Sequence, residues 1–478
     1  MSRRYAVALL MVACIVVGLA QGAAANNISV TNVALTGRDT ATSNIFIRTD
    51  VIWENSWRDG LNWDAAWVFA KWRLAGTTNW SHCSLETSGH EAPADCTITN
   101  WDAAGAMLHR TTQGTGNITF SNVKLRWDYG ADGLLDSADV ELYVTAIEMV
   151  YVPEGAFQLG TWQNDEDNRR FFYRAQQTRD PYTVSSEDPL EVADSPGCLW
   201  AFQGRGINAT TLSASYPKGY AAFYCMKYEI SQKQYTDFLN KLTVGQSSQR
   251  YYTGGANRNT IGGSWPNFTV TVPDRACNYL SWNDDCAYAD WAGLRPMTEL
   301  EFEKACRGTE TSVYNEYPWG NTSRYGSPYD INNDGQPNAT VANKGNDPNG
   351  NALYNSTAGS LGGPVRCGIF AASIADPTRA EAGATYWGIM EMGGNLREHC
   401  IRIGNSGYNF TGLHGDGVLT AGGEDDVANW PDSGGAGFRG GSYSEDQQAM
   451  CVAYRVDADN GDGNRNANYG FRAVRSAP

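Results

Sequence analysis

The chain reads as an α+β protein: an all-β, sandwich-like region over residues 26–145, followed by a loop-rich region over residues 146–478 with few helices. Three observations predict this. Runs rich in β-branched and aromatic residues recur over residues 28–147, separated by turn residues at the spacing of a sandwich. Two complete helix-start signals stand out, both beyond residue 230. The 52 Gly residues sit beside 16 Trp and 25 Tyr, a composition of long loops pinned by aromatics rather than of disorder.

The first residues precede the fold. Arg3 and Arg4, an apolar run over 6–20 and Ala23-Ala24-Ala25 have the form of a cleavable export signal, which assigns residues 1–25 to a leader. An uncleaved anchor and a lipoprotein acylated at Cys14 are the competing readings. The apolar run continues past Cys14 and ends in an A-x-A site, which favours cleavage. The expected location is secreted, periplasmic or cell surface. Removing two basic residues and no acidic ones leaves 34 against 52, a net charge of about −18. Such a surface repels nucleic acid and anionic lipid. Nothing after residue 25 is long and apolar enough for a membrane span in the mature chain.

Ten cysteines follow the leader: Cys83, Cys96, Cys198, Cys225, Cys277, Cys286, Cys306, Cys367, Cys400 and Cys451. An even count in an exported chain predicts disulfides, with Cys83 and Cys96 placed to staple a polar loop. In the β region, residues 28–35, 44–53, 66–74, 118–127 and 140–147 read as strands. Eight tryptophans lie there: Trp53, Trp57, Trp63, Trp67, Trp72, Trp80, Trp101 and Trp127. Core packing is the expectation, and an exposed row stacking on sugar rings is the alternative. Asp128, Asp132, Asp136 and Asp139 read as a solvated turn, since their spacing misses the EF-hand loop. No linker separates the regions, so they are expected to pack closely. In the second region Ser231 opens S-Q-K-Q and Thr298 opens T-E-L-E, each a capping box before an amphipathic run, the latter ended by Gly308.

The motifs MVYVPEGAFQLG (149–160), FYCMKYEISQKQYTDFLN (223–240), LSWNDDCAYADWAGLRPMTELEFEKACRG (280–308), YPWGN (317–321), GIMEMGGNLREHC (388–400), RGGSY (439–443) and GFRAVR (470–475) occur in that order. Together the series resembles the formylglycine-generating enzyme, or sulfatase-modifying factor, family. The resemblance implies a C-type-lectin-related fold. For active members it also implies copper- and oxygen-dependent oxidation of a client sulfatase cysteine to formylglycine. That chemistry uses two cysteines just after the GGS motif, because paired thiolates suit soft Cu(I).

Here the chain departs from the family. Cys451 matches the second thiolate, allowing one inserted residue before Tyr454 and Arg455, but Glu445 stands at the first. A carboxylate is a hard donor and a poor partner for Cu(I), so no working copper centre is expected. Cys451 and Ser442 are the only candidate catalytic groups. The family's Trp-Glu-Trp is Arg397-Glu398-His399, and its Leu-Pro is Pro296-Met297. The family's calcium site matches better, with Glu391 as side-chain ligand and the carbonyls of Met392, Gly394 and Leu396 beside it. A second calcium site would begin at Asn343, although its later aspartate is not recognisable. The five histidines, His82, His90, His109, His399 and His414, show no metal-ligand spacing.

The sequence therefore predicts an exported binding or structural module, its partner an unidentified protein or glycan. Contacts are expected from loops 442–446, 414–416 and 457–468, through Tyr443, Glu445, Asp446, Tyr454, Arg455 and His414. An oxygen-dependent oxidase using Cys451 and a carbohydrate-binding surface protein are the alternatives.

Overall fold

A computed structural model describes residues 27–162, 170–176 and 179–478. The leader expected at 1–25 lies outside the described residues. The strands that position the site are β1 (Ser29–Asp39), β2 (Asn44–Arg58), β3 (Asp64–Leu74), β4 (Cys96–Thr99), β5 (Ala106–Arg110), β6 (Gly114–Asp128), β7 (Val140–Val152), β8 (Phe223–Met226), β9 (Arg295–Pro296), β10 (Arg397–Ile401), β11 (Ala436–Arg439), β12 (Tyr469–Gly470) and β13 (Ala473–Ser476). The longer helices are α1 (Gln232–Leu239), α2 (Val244–Arg250), α3 (Trp282–Trp291) and α4 (Glu299–Arg307). No helix among the described residues is long and apolar enough to cross a membrane.

A three-stranded sheet runs β1–β2–β6, and an eight-stranded sheet has the order β9–β13–β8–β7–β3–β5–β4 with Ser81–His82 paired to β3. The second sheet joins the two ends of the chain. β7 pairs with β3 from Asp64/Val150 to Leu74/Val140, and on its other edge with β8 from Met149/Met226 to Val152/Phe223. The boundary expected at residues 145 and 146 falls inside β7, so the two regions share one hydrogen-bonded sheet.

β3 explains the close junction. Every residue from Asp64 to Lys71 is buried. Successive strand side chains point to opposite faces, and here both faces are covered. Ala66, Val68 and Ala70 share a core with Ile47, Val51 and Trp53 of β2 and Phe120, Leu125 and Trp127 of β6. Ala65, Trp67 and Phe69 share another with Tyr235, Phe238 and Leu239 of α1 and Tyr288 and Trp291 of α3. The sandwich therefore does not close on itself, because its inner sheet is also the floor on which the helices rest. Trp67 Nε1 donates to Ala292 O (2.8 Å) and Lys71 Nζ to Trp291 O (2.7 Å), so two β3 side chains satisfy carbonyls left open at the end of α3.

Both expected capping boxes form, at Ser231/Gln234 and Thr298/Glu301. Two further boxes, Thr243/Gln246 and Ser281/Asp284, start α2 and α3. The sequence reading missed α3 because its sides are covered all round, leaving no apolar stripe; the signal was Ser281 with aspartate at N3.

The expected disulfides do not form: none joins the described cysteines, and Cys83 and Cys96 stay apart as thiols. Nine of the ten are buried in apolar clusters, where a thiol packs as a small hydrophobe, and Cys198 is half-buried. Burial pushes Cys277, Cys286, Cys306, Cys367 and Cys400 well above the ordinary thiol range, which makes them inert. The eight tryptophans are buried or half-buried, none exposed, so no row of them stands on the surface. The acidic turn is tied internally: Asp132 accepts from Ser84 Oγ (2.6 Å) and Trp127 Nε1 (2.6 Å).

Candidate functional site

Three short strands carry the site: β10 pairs with β11 on one edge and with β12 on the other. This sheet brings together Arg397, Phe438 and Tyr469, and the Arg397 guanidinium lies 5.0 and 5.1 Å from the two ring centroids. Beyond β11 the chain turns at Gly440 (φ 87°) and Gly441 (φ 70°). A Cβ on Gly441 would lie 2.9 Å from the Ala449 Cβ, so the turn requires glycine in conformation and in space.

That turn delivers Glu445 onto Arg397. Glu445 Oε1 lies 3.3 Å from Arg397 Nη2, and Asp457 Oδ2 lies 3.4 Å from Arg397 Nη1. Asn468, with its amide oxygen toward the guanidinium, accepts from Arg397 Nε at 3.2 Å. Burial raises the Glu445 carboxyl above its ordinary range, and Arg397 opposes the rise. Burial, with Asp457 and Glu445 nearby, pushes the Tyr454 phenol up. Arg397, Glu445, Tyr454 and Asp457 thus form one half-buried ionic cluster, assembled from two of the expected loops. Asp446 beside it is exposed.

The other expected residues go elsewhere. Ser442 is fully buried, its hydroxyl 3.2 Å from Ser444 Oγ. Tyr443 packs in the core with Tyr228 and Leu396. Arg455 is not a surface contact. It is fully buried, its Nε and Nη2 bonded to the two oxygens of Glu299 (2.7 and 2.9 Å) and its guanidinium 3.8 Å from the Phe172 ring centroid. A planar fork matched to a carboxylate explains an arginine there. His414 Nε2 accepts from Ser476 N (3.0 Å) and lines a different, larger cavity.

Cys451 is 3% exposed, with Sγ 3.6 Å from Asn315 O, on the wall of a cavity of about 350 Å3 shared with Tyr317, Arg324 and Gln447. A bis-thiolate copper site needs a second sulfur on this face. The residue at that sequence position is Glu445, already held by Arg397, so the donor set does not fit Cu(I).

Glu391 has φ 51° and is 3% exposed; its two oxygens lie 2.9 and 3.0 Å from Gly368 N, which donates to the carboxylate. Burial raises its pKa to about 7. Nearby, Leu396 N donates to Glu229 Oε1 (2.9 Å) and Gly394 N to Gly440 O (2.8 Å), with Met392 fully buried beside them. Asn343 bonds Asp330 N (2.5 Å) and Pro328 O (2.7 Å), which fixes a turn.

Sequence reasoning missed the partner of His399. His399, at the second Trp position of the family motif, has Nδ1 2.6 Å from Asp285 Oδ2 on α3, and burial lowers the imidazole to about 3. Asp285 lies in the capping segment of an unforeseen helix, and the pair is separated by 114 residues.

A sheet-borne, loop-built site on a chain with these motifs defines the class of protein. The sulfatase-modifying factor enzyme 1-like domain matches residues 139–477, and the chain belongs to that family. It is 30% identical over 176 residues to the formylglycine-generating enzyme of Bos taurus, covering 28% of this chain and 46% of that protein. It is 46% identical over 57 residues to the formylglycine-generating enzyme of Thermomonospora curvata, covering 12% and 18%. The matched stretches thus span less than half the length of each relative. Treponema denticola variable protein 1 superposes at a TM-score of 0.33 and 14% identity, over 70% of this chain and 96% of that one.

Proposed function

We propose that this is an exported protein whose formylglycine-enzyme-like domain acts as a non-catalytic binding module. The observation that carries the reading is the Glu445–Arg397 ion pair at the position of the first thiolate. A carboxylate neutralised by an arginine that itself lies over Phe438 and Tyr469 is a preformed recognition surface and a poor soft-metal donor. Its loops rest on a rigid sheet, the arrangement in which loop side chains serve binding. The leader expected at residues 1–25 places this work outside the cytoplasm.

The test is anaerobic Cu(I) titration of the reduced full chain, with a cysteine-containing peptide from a sulfatase as oxidation substrate. The expected result is no tight stoichiometric copper and no aldehyde product. Tight one-to-one binding that disappears in Cys451→Ala, together with aldehyde formation, would establish the oxidase instead.

A further inference from the structure

A cavity of about 690 Å3 lies away from Cys451. It opens where the two regions meet, between Trp72 of β3, Trp80, Asp102, Lys241, Trp291 of α3 and Asp416. A second cavity of about 450 Å3 shares Trp80 and Lys241 with it, and adds Asn240 and Asn267. Both volumes fall in the range of small-ligand sites. Trp80 therefore presents surface to each.

We infer that these two cavities are one cleft for a neutral oligosaccharide, with Trp80 as the aromatic platform between neighbouring sugar units. This goes beyond the Glu445–Arg397 surface by naming a second site and the ligand class it would take.

Four observations carry it. Trp80 is half-buried and held before any ligand arrives: the Arg73 guanidinium is 4.6 Å and Lys241 Nζ 4.9 Å from its ring centroid, and Tyr143 makes an edge contact at 6.3 Å. A ring so fixed loses little freedom on binding. Secondly, Trp291 is 4% exposed, and its indole N–H has no acceptor among the described residues. Thirdly, the walls mix carboxylates and amides with indoles, matching rings whose edges carry hydroxyls and whose faces are apolar. Fourthly, the wall's charges do not call for an anion. Lys71 is already bonded to Trp291 O (2.7 Å) and Gly417 O (3.0 Å), and Lys241 lies over rings. With Asp102 and Asp416 on the wall and a chain charge of −16, a polyanion would be repelled.

The experiment is titration of the full chain with cellohexaose, mannohexaose, laminarihexaose and chitohexaose, followed by tryptophan fluorescence and calorimetry, with glucose as the single-unit control. Saturable binding of at least one hexasaccharide is expected, about tenfold or more tighter than glucose. Trp80→Ala and Lys241→Gln should each weaken it about tenfold, while Arg324→Ala in the Cys451 cavity leaves it unchanged. If Trp80→Ala does not fold, Lys241→Gln decides. Binding of none of the four, or unchanged binding in a folded cleft variant, overturns the inference and leaves the copper result untouched.

Discussion

Glu445 and Arg397 meet at 3.3 Å, so two positions at which this chain departs from its family are partners in one ion pair. Their side chains are 20% and 14% exposed, which leaves each charge dependent on the other. Asp457, at 3.4 Å, holds the second guanidinium nitrogen. The asymmetry makes a prediction. Glu445→Gln leaves Arg397 with Asp457 and should cost about 1–2 kcal/mol, whereas Arg397→Met strands two carboxylates and should cost about 2–4 kcal/mol. Urea denaturation of both variants checks the order, and equal losses would show that the pair is not organised this way.

Lys227 is buried between Glu148 (3.0 Å) and Asp64 (3.5 Å), linking β7, β3 and the end of β8. Asp64 also accepts from Ser56 Oγ (2.8 Å) and Trp53 Nε1 (3.0 Å), so the network reaches the outer sheet. Lys227→Met should destabilise the protein by about 3–5 kcal/mol, because it leaves buried carboxylates unpaired. The triple variant with Asp64→Asn and Glu148→Gln should recover part of that loss, measured as the denaturation midpoint.

The shared sheet predicts that residues 146–478 do not fold alone. Their helices would lose Trp67 and Phe69 from the core, and β7 would be cut. The fragment should bind a hydrophobic dye and melt without a cooperative transition, while in the full chain Trp67→Ala should cost about 3–5 kcal/mol in a single transition. A cooperatively melting fragment would refute the coupling.

Burial raises the Glu391 carboxyl to about 7, above its ordinary value near 4.5. Between those values the folded state holds a proton that the unfolded state has lost, so stability falls as pH rises through the window. The full effect is about 3 kcal/mol. Glu391→Gln keeps an acceptor for Gly368 N–H and cannot ionise. Its stability relative to wild type should therefore rise from pH 5 to pH 8, read by denaturant titration at each pH. A constant difference would place the proton elsewhere.

The site was legible only in part. Glu445, Arg397 and His399 stand out as departures from a motif series, and Ser231 and Thr298 announce their helices through local capping chemistry. Their partners were not legible: Arg397 with Glu445, His399 with Asp285 and Arg455 with Glu299 are pairs separated by 48, 114 and 156 residues. Local spacing carries no information about such contacts. For the same reason Arg455 looked available to a ligand, since a sequence shows a side chain's chemistry but not whether another group has already taken it.

By itself the sequence determined what local physics and motif order can fix: family membership, the β-rich start, two capped helices, a strongly acidic chain and the loss of one thiolate. Tertiary structure alone decided that the two regions share a sheet, that no disulfide joins the described cysteines, that Glu445 answers Arg397, and that a wide cleft lies between the regions. Each of these is a meeting of segments distant along the chain, and only packing decides which distant groups meet.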